Sequence, residues 1–158
     1  IGEVGCGMSI ALNALNLSRA FISTLAVGIM QRALDEAVAY AKQRKQFGRR
    51  LIDFEMVQAM LADMAIKTEA ARVLVNNCMR QMDAGEMVRK DGAIVKTFVT
   101  DAMQEVVSNA VQVLGGYGYS EEYPVEKLMR DAKIFQIFEG SNQIQRMTIA
   151  KELDREYR

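Results

Sequence analysis

Residues 9–41 read SIALNALNLSRAFISTLAVGIMQRALDEAVAYA and contain no helix-breaking residue except Gly28. Between Phe21 and Met30 the apolar residues nearly surround the helix that this stretch would form, which indicates burial on more than one side, against the rest of a bundle and another subunit. We therefore predict one long helix over residues 9–41. The apolar residues that recur at helical spacing are Ile10, Ala14, Leu17, Phe21, Leu25 and Met30.

Two further long helices are predicted from the next apolar patterns. One runs from about residue 54 to 84 and stops at Gly85, and the other runs from roughly residue 86 to 114 and ends at Gly115 and Gly116. Their apolar faces comprise Val57, Met60, Leu61, Met64, Ala71, Leu74, Val75, Cys78 and Met82, and then Val95, Phe98, Val99, Ala102, Val106, Ala110 and Val111.

The end of the chain predicts two shorter helices. Pro124 is favoured in a first helical turn and predicts a helix to about Ile134, and a last helix starts at Ser141. Residues 43–53 are basic and broken by glycine, which predicts a loop. Because no segment alternates apolar and polar residues, the fold class is all-α, a bundle of long antiparallel helices closed by two shorter ones.

Charge and hydropathy argue against several classes of partner. The 20 basic and 20 acidic residues cancel, so no net field favours a nucleic acid or an anionic membrane. No membrane span is expected, because Arg19, Gln31 and Arg32 interrupt the most apolar segment. Residues 1–8 are rich in glycine and begin with Ile1, so we expect them to be a linker from a longer protein and residues 9–158 to be the folded domain.

The chain has no histidine, which removes the usual zinc ligand and the Glu-x-x-His signature of di-iron bundles. Its two cysteines, Cys6 and Cys78, have no CxxC spacing and are expected to be reduced thiols in a reducing compartment. No metal site is expected, and acid–base chemistry has to come from carboxylates.

A candidate base lies in IFEGSNQIQR, residues 137–146. If Ile137 and Phe138 exclude water from Glu139, the charged carboxylate is penalised and becomes a better proton acceptor. Ser141 is a good N-cap, and the free N–H groups of the helix that it begins would face the same ligand as Glu139. The alternative is that Glu139 is a solvated loop residue before an ordinary capped helix.

Two other segments between helices combine glycine, an aromatic ring and hydrogen-bonding groups: RKQFG at residues 44–48 and QVLGGYGY at residues 112–119. Glycines admit close backbone approach, and arginine pairs with phosphate oxygens, so these segments suit a flat ligand that carries phosphates. Alternatively, Gly115 and Gly116 are only a helix C-cap and Arg44 belongs to a solvated basic turn.

Together and in this order, the three segments resemble the carboxy-terminal domain of the FAD-dependent acyl-CoA dehydrogenases, over residues 2–153. The resemblance implies a four-helix-bundle domain that follows a middle β domain, in an enzyme that forms a dimer or tetramer with one FAD per subunit. It implies α,β-dehydrogenation of an acyl-CoA thioester to the trans-2-enoyl-CoA, with an electron-transfer flavoprotein as acceptor. The compartment would be the bacterial cytoplasm or the mitochondrial matrix, and this fragment alone would be inactive.

The resemblance also assigns roles to residues. Glu139 would remove the α-proton while the β-hydride passes to FAD. The FAD of a neighbouring subunit would contact Arg44, Gln46, Phe47, Gln112, Gly115 and Gly116, the subunit's own FAD would contact Ser141, Asn142 and Gln143, and the acyl-CoA side would include Asn16, Arg19 and Gly140. Arg19 is the best candidate for a buried arginine that supports the segment of the base.

This sequence departs from the family pattern at two positions. Glu55 stands where glutamine is common, and Asn16 replaces an aspartate common in several members. Members that carry the base on the first helix have a glutamate near Ser18 or Arg19, and this chain has none there, which favours Glu139. Two alternatives are an acyl-CoA oxidase-like flavoenzyme and a helical interaction module without catalysis.

Overall fold

The structure is a computed structural model of the 158-residue chain and describes residues 2–86 and 88–158. The all-α prediction is confirmed, since most of this described part is helical and its two strands are only two residues long each. Its five helices are α1 (Gly7–Gln43), α2 (Glu55–Asp83), α3 (Arg89–Leu114), α4 (Val125–Phe135) and α5 (Asn142–Glu156). The third predicted helix included Met87, which lies outside the described residues.

The connection between α1 and α2 is more ordered than the loop predicted from the sequence. It contains two short antiparallel strands, β1 (Lys45–Gln46) and β2 (Arg49–Arg50), and then a 3-10 turn at Leu51–Asp53. A second 3-10 turn, Gly115–Tyr119, follows α3. The hairpin is short enough to turn α2 back along α1, so the two helices are antiparallel neighbours.

Helix α3 is the centre of the bundle and packs against each of the other four helices. The predicted apolar faces of α2 and α3 form the core between the long helices, with Leu61, Met64, Val75, Val99 and Val106 buried. Phe98 was predicted to join them and instead is exposed at the edge of the bundle.

Of the six apolar residues predicted at helical spacing along α1, Met30 is buried and the other five are exposed, and burial against another subunit stays a prediction. Large residues such as Leu17, Phe21 and Leu25 are exposed in this chain, and the core side of α1 is a stripe of small residues. Small side chains allow the backbones of α1 and α3 to approach closely, whereas the large side chains form a second apolar face without a partner among the described residues. The buried stripe comprises Ala20, Ser23, Ala26, Val27, Met30, Ala33, Ala37 and Ala41.

By length and composition, α1 could cross a membrane, with an 18-residue window of mean hydropathy 1.4. Arg19, Gln31 and Arg32 all lie within this helix, and the expectation of no membrane span stays a prediction. The core helix of a bundle passes the same test, and α1 packs against both α2 and α3. The hydropathy of α1 alone is weak evidence for a membrane span.

Candidate active site

Residues 136–141 connect α4 to α5 and present Glu139 in an unusual backbone conformation. Glu139 has φ 57° and Gly140 has φ 83°, both in the left-handed region. A residue with a side chain seldom adopts this conformation, so the surrounding contacts have to hold it. A Cβ at Gly140 would lie 2.5 Å from Nε2 of Gln145, so both the conformation and the space require glycine there.

The carboxylate of Glu139 contacts the first helix directly. Ser18 Oγ donates a hydrogen bond to Glu139 Oε2 at 2.6 Å, and both side chains are half-buried. Ser18 lies within residues 16–19, which the resemblance placed beside the acyl-CoA, but no role was assigned to it, since a serine in a helix gives no signal of its own in the sequence. The contact fixes one oxygen of the carboxylate against α1 and leaves its other oxygen without a hydrogen bond from the described residues.

The carbonyl groups of Glu139 and Gly140 are held from three helices. Gln145 Nε2 donates to both carbonyls, at 3.1 Å and 3.0 Å. Arg19 Nε donates to the Glu139 carbonyl at 3.4 Å, and Lys96 Nζ donates to the Gly140 carbonyl at 3.0 Å. Because the N–H of a trans peptide points away from its carbonyl, the amide of Gly140 faces away from Arg19 and Gln145.

Arg19 lies where the sequence placed a supporting arginine. Its side chain is buried, and Nη1 donates to Asn16 Oδ1 at 2.8 Å. Burial lowers the pKa of Arg19, the charge of Arg89 lowers it further, and the charge of Glu139 acts in the opposite direction. Asn16 therefore contacts Arg19 in this structure, which makes it a support for that arginine.

Lys96 was not predicted as part of the site. Its side chain is 0% exposed, in the first third of α3, and Nζ donates to Asn142 Oδ1 at 2.7 Å as well as to the Gly140 carbonyl. Desolvation lowers the pKa of Lys96 to about 8, against the raising effects of the charges of Asp101 and Glu139. The sequence signal that could have identified Lys96 is a charged residue on the apolar face of α3, among valines.

The expected apolar walls around Glu139 are not formed by its two predecessors. Ile137 is 55% exposed, and Phe138 packs edge-on against Phe135, with ring centroids 5.0 Å apart. The prediction that Ile137 and Phe138 exclude water from the carboxylate is therefore wrong for this chain. Glu139 remains half-buried at the surface of the bundle, where another part of a longer protein could cover it.

Ser141, Asn142 and Gln143 lie at the start of α5, beside a groove with a volume of about 480 Å³. Ser141 is the N-cap and accepts a hydrogen bond from the backbone N–H of Ile144. Gln143 is exposed. The side chain of Asn142 instead is buried and fully engaged, since Nδ2 donates to Thr100 and to Asp101.

Asp101 connects Asn142 to the groove through hydrogen bonds. It accepts hydrogen bonds from Gln136 Nε2 at 2.7 Å and from Arg146 Nη2 at 2.6 Å. Burial alone would raise the pKa of Asp101, but the hydrogen bonds from Arg146, Gln136 and Asn142 outweigh it and lower the pKa. An ionised Asp101 therefore holds the first turn of α5 against α3.

The candidate residues on the two other segments meet at the far end of α3. Arg44, Gln46, Gly115 and Gly116 line one open groove of about 590 Å³, and the Arg44 guanidinium lies 5.5 Å from the centre of the Tyr117 ring. The structure thus brings together four residues that the sequence had placed on one ligand.

Phe47 and Gln112 do not line this groove. Phe47 has φ 52°, is 93% exposed at the tip of the hairpin and packs edge-on against Phe54. Gln112 is exposed near the end of α3, and its carbonyl accepts the N–H of Gly115. Their predicted contacts with FAD remain predictions about an assembled protein.

The Glu139 region and the groove at Arg44 cannot serve the same part of one ligand. Lys96 contacts the Glu139 region and Leu114 lines the groove, and both belong to α3. At a rise of about 1.5 Å per residue, these two positions are about 27 Å apart along the helix. The chain therefore carries two separate candidate sites.

Comparisons with known proteins identify the family of the chain. The profile of the family described as "Acyl-CoA dehydrogenase, C-terminal domain" matches residues 5–153. The protein named "Probable acyl-CoA dehydrogenase" in Mycobacterium tuberculosis is 49% identical over 154 residues, which cover 97% of this chain and 40% of that protein. A subunit of a caffeyl-CoA reductase–Etf complex from Acetobacterium woodii is 43% identical over 150 residues, which cover 95% of this chain and 40% of that subunit.

The fold is shared with a solved structure. Butyryl-CoA dehydrogenase from Megasphaera elsdenii matches with a TM-score of 0.94 at 45% identity, over 96% of this chain and 40% of that one. This chain thus spans about 40% of the length of these relatives. It belongs to the acyl-CoA dehydrogenase family, in which it corresponds to the C-terminal domain.

Proposed function

We propose that this chain is the catalytic-base domain of an FAD-dependent acyl-CoA dehydrogenase. The observation that carries the proposal is the presentation of Glu139, at φ 57°, by a loop whose carbonyls are held from three helices and whose carboxylate is anchored by Ser18. Contacts of this number around a strained residue are expected at a functional site. A solvated loop glutamate would not need them.

The residues of the open groove fit FAD. A guanidinium at Arg44 can pair with a pyrophosphate, and the Tyr117 ring offers an aromatic face. A Cβ at Gly115 or Gly116 would meet no atom of the described residues within 4 Å, so the space beside these glycines is open to a ligand. Bound FAD supplies the hydride acceptor. We propose that Arg44, Gln46, Gly115 and Gly116 hold the FAD of a neighbouring subunit.

In the proposed reaction, Glu139 acts on the carbon next to the thioester carbonyl. Its carboxylate would accept the α-proton while the electron pair of that C–H bond becomes the new double bond, and bound FAD would supply the acceptor for the hydride of the β-carbon. Ser18 holds one carboxylate oxygen, so the other oxygen can face the α-carbon. The product is the trans-2-enoyl-CoA, and the proton rests on Glu139.

At the start of α5, we propose that Ser141 and Gln143 contact the subunit's own FAD. Asn142 has a different task in this proposal, because its side chain is buried and all its polar atoms are used within the chain. It orients the first turn of α5. Arg19, with Asn16, supports the loop from α1 and borders the acyl-CoA together with Gly140.

The partners follow from the family and from the two separated sites. Because the sites are about 27 Å apart along α3, we propose that each serves a different FAD in a homo-oligomer, a dimer or tetramer. The name of the Acetobacterium relative supports an electron-transfer flavoprotein as acceptor. The bacterial cytoplasm or the mitochondrial matrix stays the predicted compartment.

The proposal is tested with the full-length parent and a panel of acyl-CoA thioesters. Flavin absorbance of the purified protein should be present and should bleach on mixing with a substrate. Reoxidation by an electron-transfer flavoprotein but not by oxygen is expected for the dehydrogenase. Rapid reoxidation by oxygen with peroxide formation would favour the oxidase alternative, and a protein without flavin would favour the non-catalytic helical module.

A further inference from the structure

Lys96 is a charged group that the proposed reaction does not use. It is the largest of the fully buried side chains, and its ammonium lies in the interior of the bundle rather than at the surface. Removing an ammonium from water costs several kcal/mol unless acceptors and opposite charges surround it. Packing alone would be satisfied by methionine, which has a similar length and no charge.

The two acceptors of Lys96 lie on either side of Ser141. Nζ is 3.0 Å from the carbonyl oxygen of Gly140 and 2.7 Å from Oδ1 of Asn142. The first belongs to the loop that carries Glu139, and the second belongs to the first residue of α5. One cation therefore joins the end of the loop to the start of the helix.

The contact continues to the groove beside Ser141. Asn142 Nδ2 donates to Asp101 Oδ1 at 2.7 Å, and Asp101 Oδ2 accepts from Arg146 at 2.6 Å. The neutral amide of Asn142 thus connects Lys96 to the Asp101–Arg146 ion pair; desolvation and the charge of Arg19 lower the pKa of Lys96, whereas the charges of Asp101 and Glu139 favour its protonated form. The network balances the buried charge and spans the site from loop to groove.

We infer that Lys96 is a positioning residue for Glu139: by joining the Gly140 carbonyl to the Asn142 amide, it fixes the loop so that the carboxylate stays aimed at the substrate. This inference rests on the proposed role of Glu139 as the base. Loss of the ammonium leaves Gln145 as the remaining donor to the Gly140 carbonyl. The loop then samples other orientations while the FAD groove at Arg44 is unchanged.

The test uses the full-length parent with Lys96→Met and, as a matched control on the same helix, Lys90→Met. Lys90 pairs with Glu156, away from the loop. Four quantities are measured: flavin occupancy, KM, kcat and the rate at which the α-hydrogen of an acyl-CoA analogue without β-hydrogens exchanges with deuterium from solvent. Exchange requires the base but no hydride transfer, so its rate depends on the orientation of the Glu139 carboxylate and not on the transfer of hydride.

Lys96→Met should lower both kcat and the exchange rate by about 10- to 100-fold, while KM and flavin occupancy stay within about twofold of the wild type. Lys90→Met should change none of the four. An exchange rate equal to wild type in Lys96→Met would overturn the inference, as would a loss confined to KM or flavin occupancy.

Two further variants complete the experiment. If Lys96→Met does not fold, Asn142→Ala carries the test, because it removes one of the two acceptors of Lys96 and should lower exchange by about tenfold; wild-type exchange in that variant would contradict the inference.

Glu139→Gln separates the inference from the proposed function. If Glu139→Gln retains exchange, the proposed base is wrong, whereas if only Lys96→Met retains exchange, the base stands and the positioning role fails.

Discussion

Ser18 Oγ lies 2.6 Å from Oε2 of Glu139, although 121 positions separate the two residues along the chain. The contact crosses from α1 to the loop before α5, where Arg19 of the same helix also donates to the carbonyl of Glu139. A hydroxyl that donates to one oxygen restricts rotation of the carboxyl group. The direction of the free oxygen is thereby set by α1.

Ser18→Ala should slow flavin reduction by acyl-CoA about 10- to 100-fold, because a hydrogen bond to a charged group contributes about 1.5–3 kcal/mol. Ser9→Ala is the control, since Ser9 lies on the same helix and its hydroxyl donates to the Cys6 carbonyl at the exposed end. Rapid-mixing kinetics of the full-length parent measure both variants. Equal rates for the two variants would show that Ser18 does not orient Glu139.

Gly140→Ala should destabilise the chain more than Gly48→Ala does. Both glycines have nearly the same positive φ, 83° and 81°, so the backbone strain of an alanine, about 1 kcal/mol, is common to both. Only at residue 140 would the new Cβ also lie 2.5 Å from Gln145 Nε2. Displacing Gln145, which donates to the carbonyls of Glu139 and Gly140, should lower the free energy of unfolding by about 1–3 kcal/mol more. Urea denaturation measures the free energy of unfolding of the two variants, and equal values would show that contact with Gln145 does not require glycine at residue 140.

Arg44→Ala should weaken FAD retention about tenfold or more without unfolding the chain, because a charge-assisted contact to phosphate contributes to binding and not to the core. Arg49→Ala is the matched control from the same hairpin. The Arg49 guanidinium lies over the Phe54 ring at 3.9 Å and does not line the groove. The ratio of flavin to protein after gel filtration distinguishes them, and an unchanged ratio for Arg44→Ala would remove it from the FAD site.

The isolated 158-residue chain should fold as a helical bundle, self-associate and bind FAD weakly or not at all. Its first helix exposes large apolar side chains, among them Leu17, Phe21 and Leu25, and such a face is covered in a stable protein. Light scattering with circular dichroism tests association and folding, and a flavin fluorescence titration tests binding. A monomer that binds FAD tightly would contradict both the apolar interface and the division of the sites between subunits.

The helix order could be predicted from the sequence because the residues that end helices are local signals. Gly85 and Gly115 both have positive φ after a helix, and Ser141 caps α5 as its side chain suggested. The side of α1 that faces the core was not predictable in the same way. Both sides are apolar, and the choice depends on how closely α3 approaches, which a helical pattern in one segment does not contain.

The site was predictable where its residues lie in a distinctive segment and not where they act from another helix. Glu139 stands out beside glycine and a capping serine. Ser18 and Lys96 are polar residues within long helices, and their roles come from contacts made over long separations in the chain. The exposure of Ile137 could not be predicted either, because the sequence shows that the residue is apolar but not the direction in which its side chain points.

The central claim is that Glu139 is the base, and the reduction of flavin by acyl-CoA in Glu139→Gln measures it most directly. The amide keeps the shape of the side chain and cannot accept a proton, so FAD should remain bound while the rate of flavin bleaching in stopped flow falls by at least about a thousandfold. Bleaching at a rate near that of the wild type, in a variant with full flavin occupancy, would show that another group removes the proton.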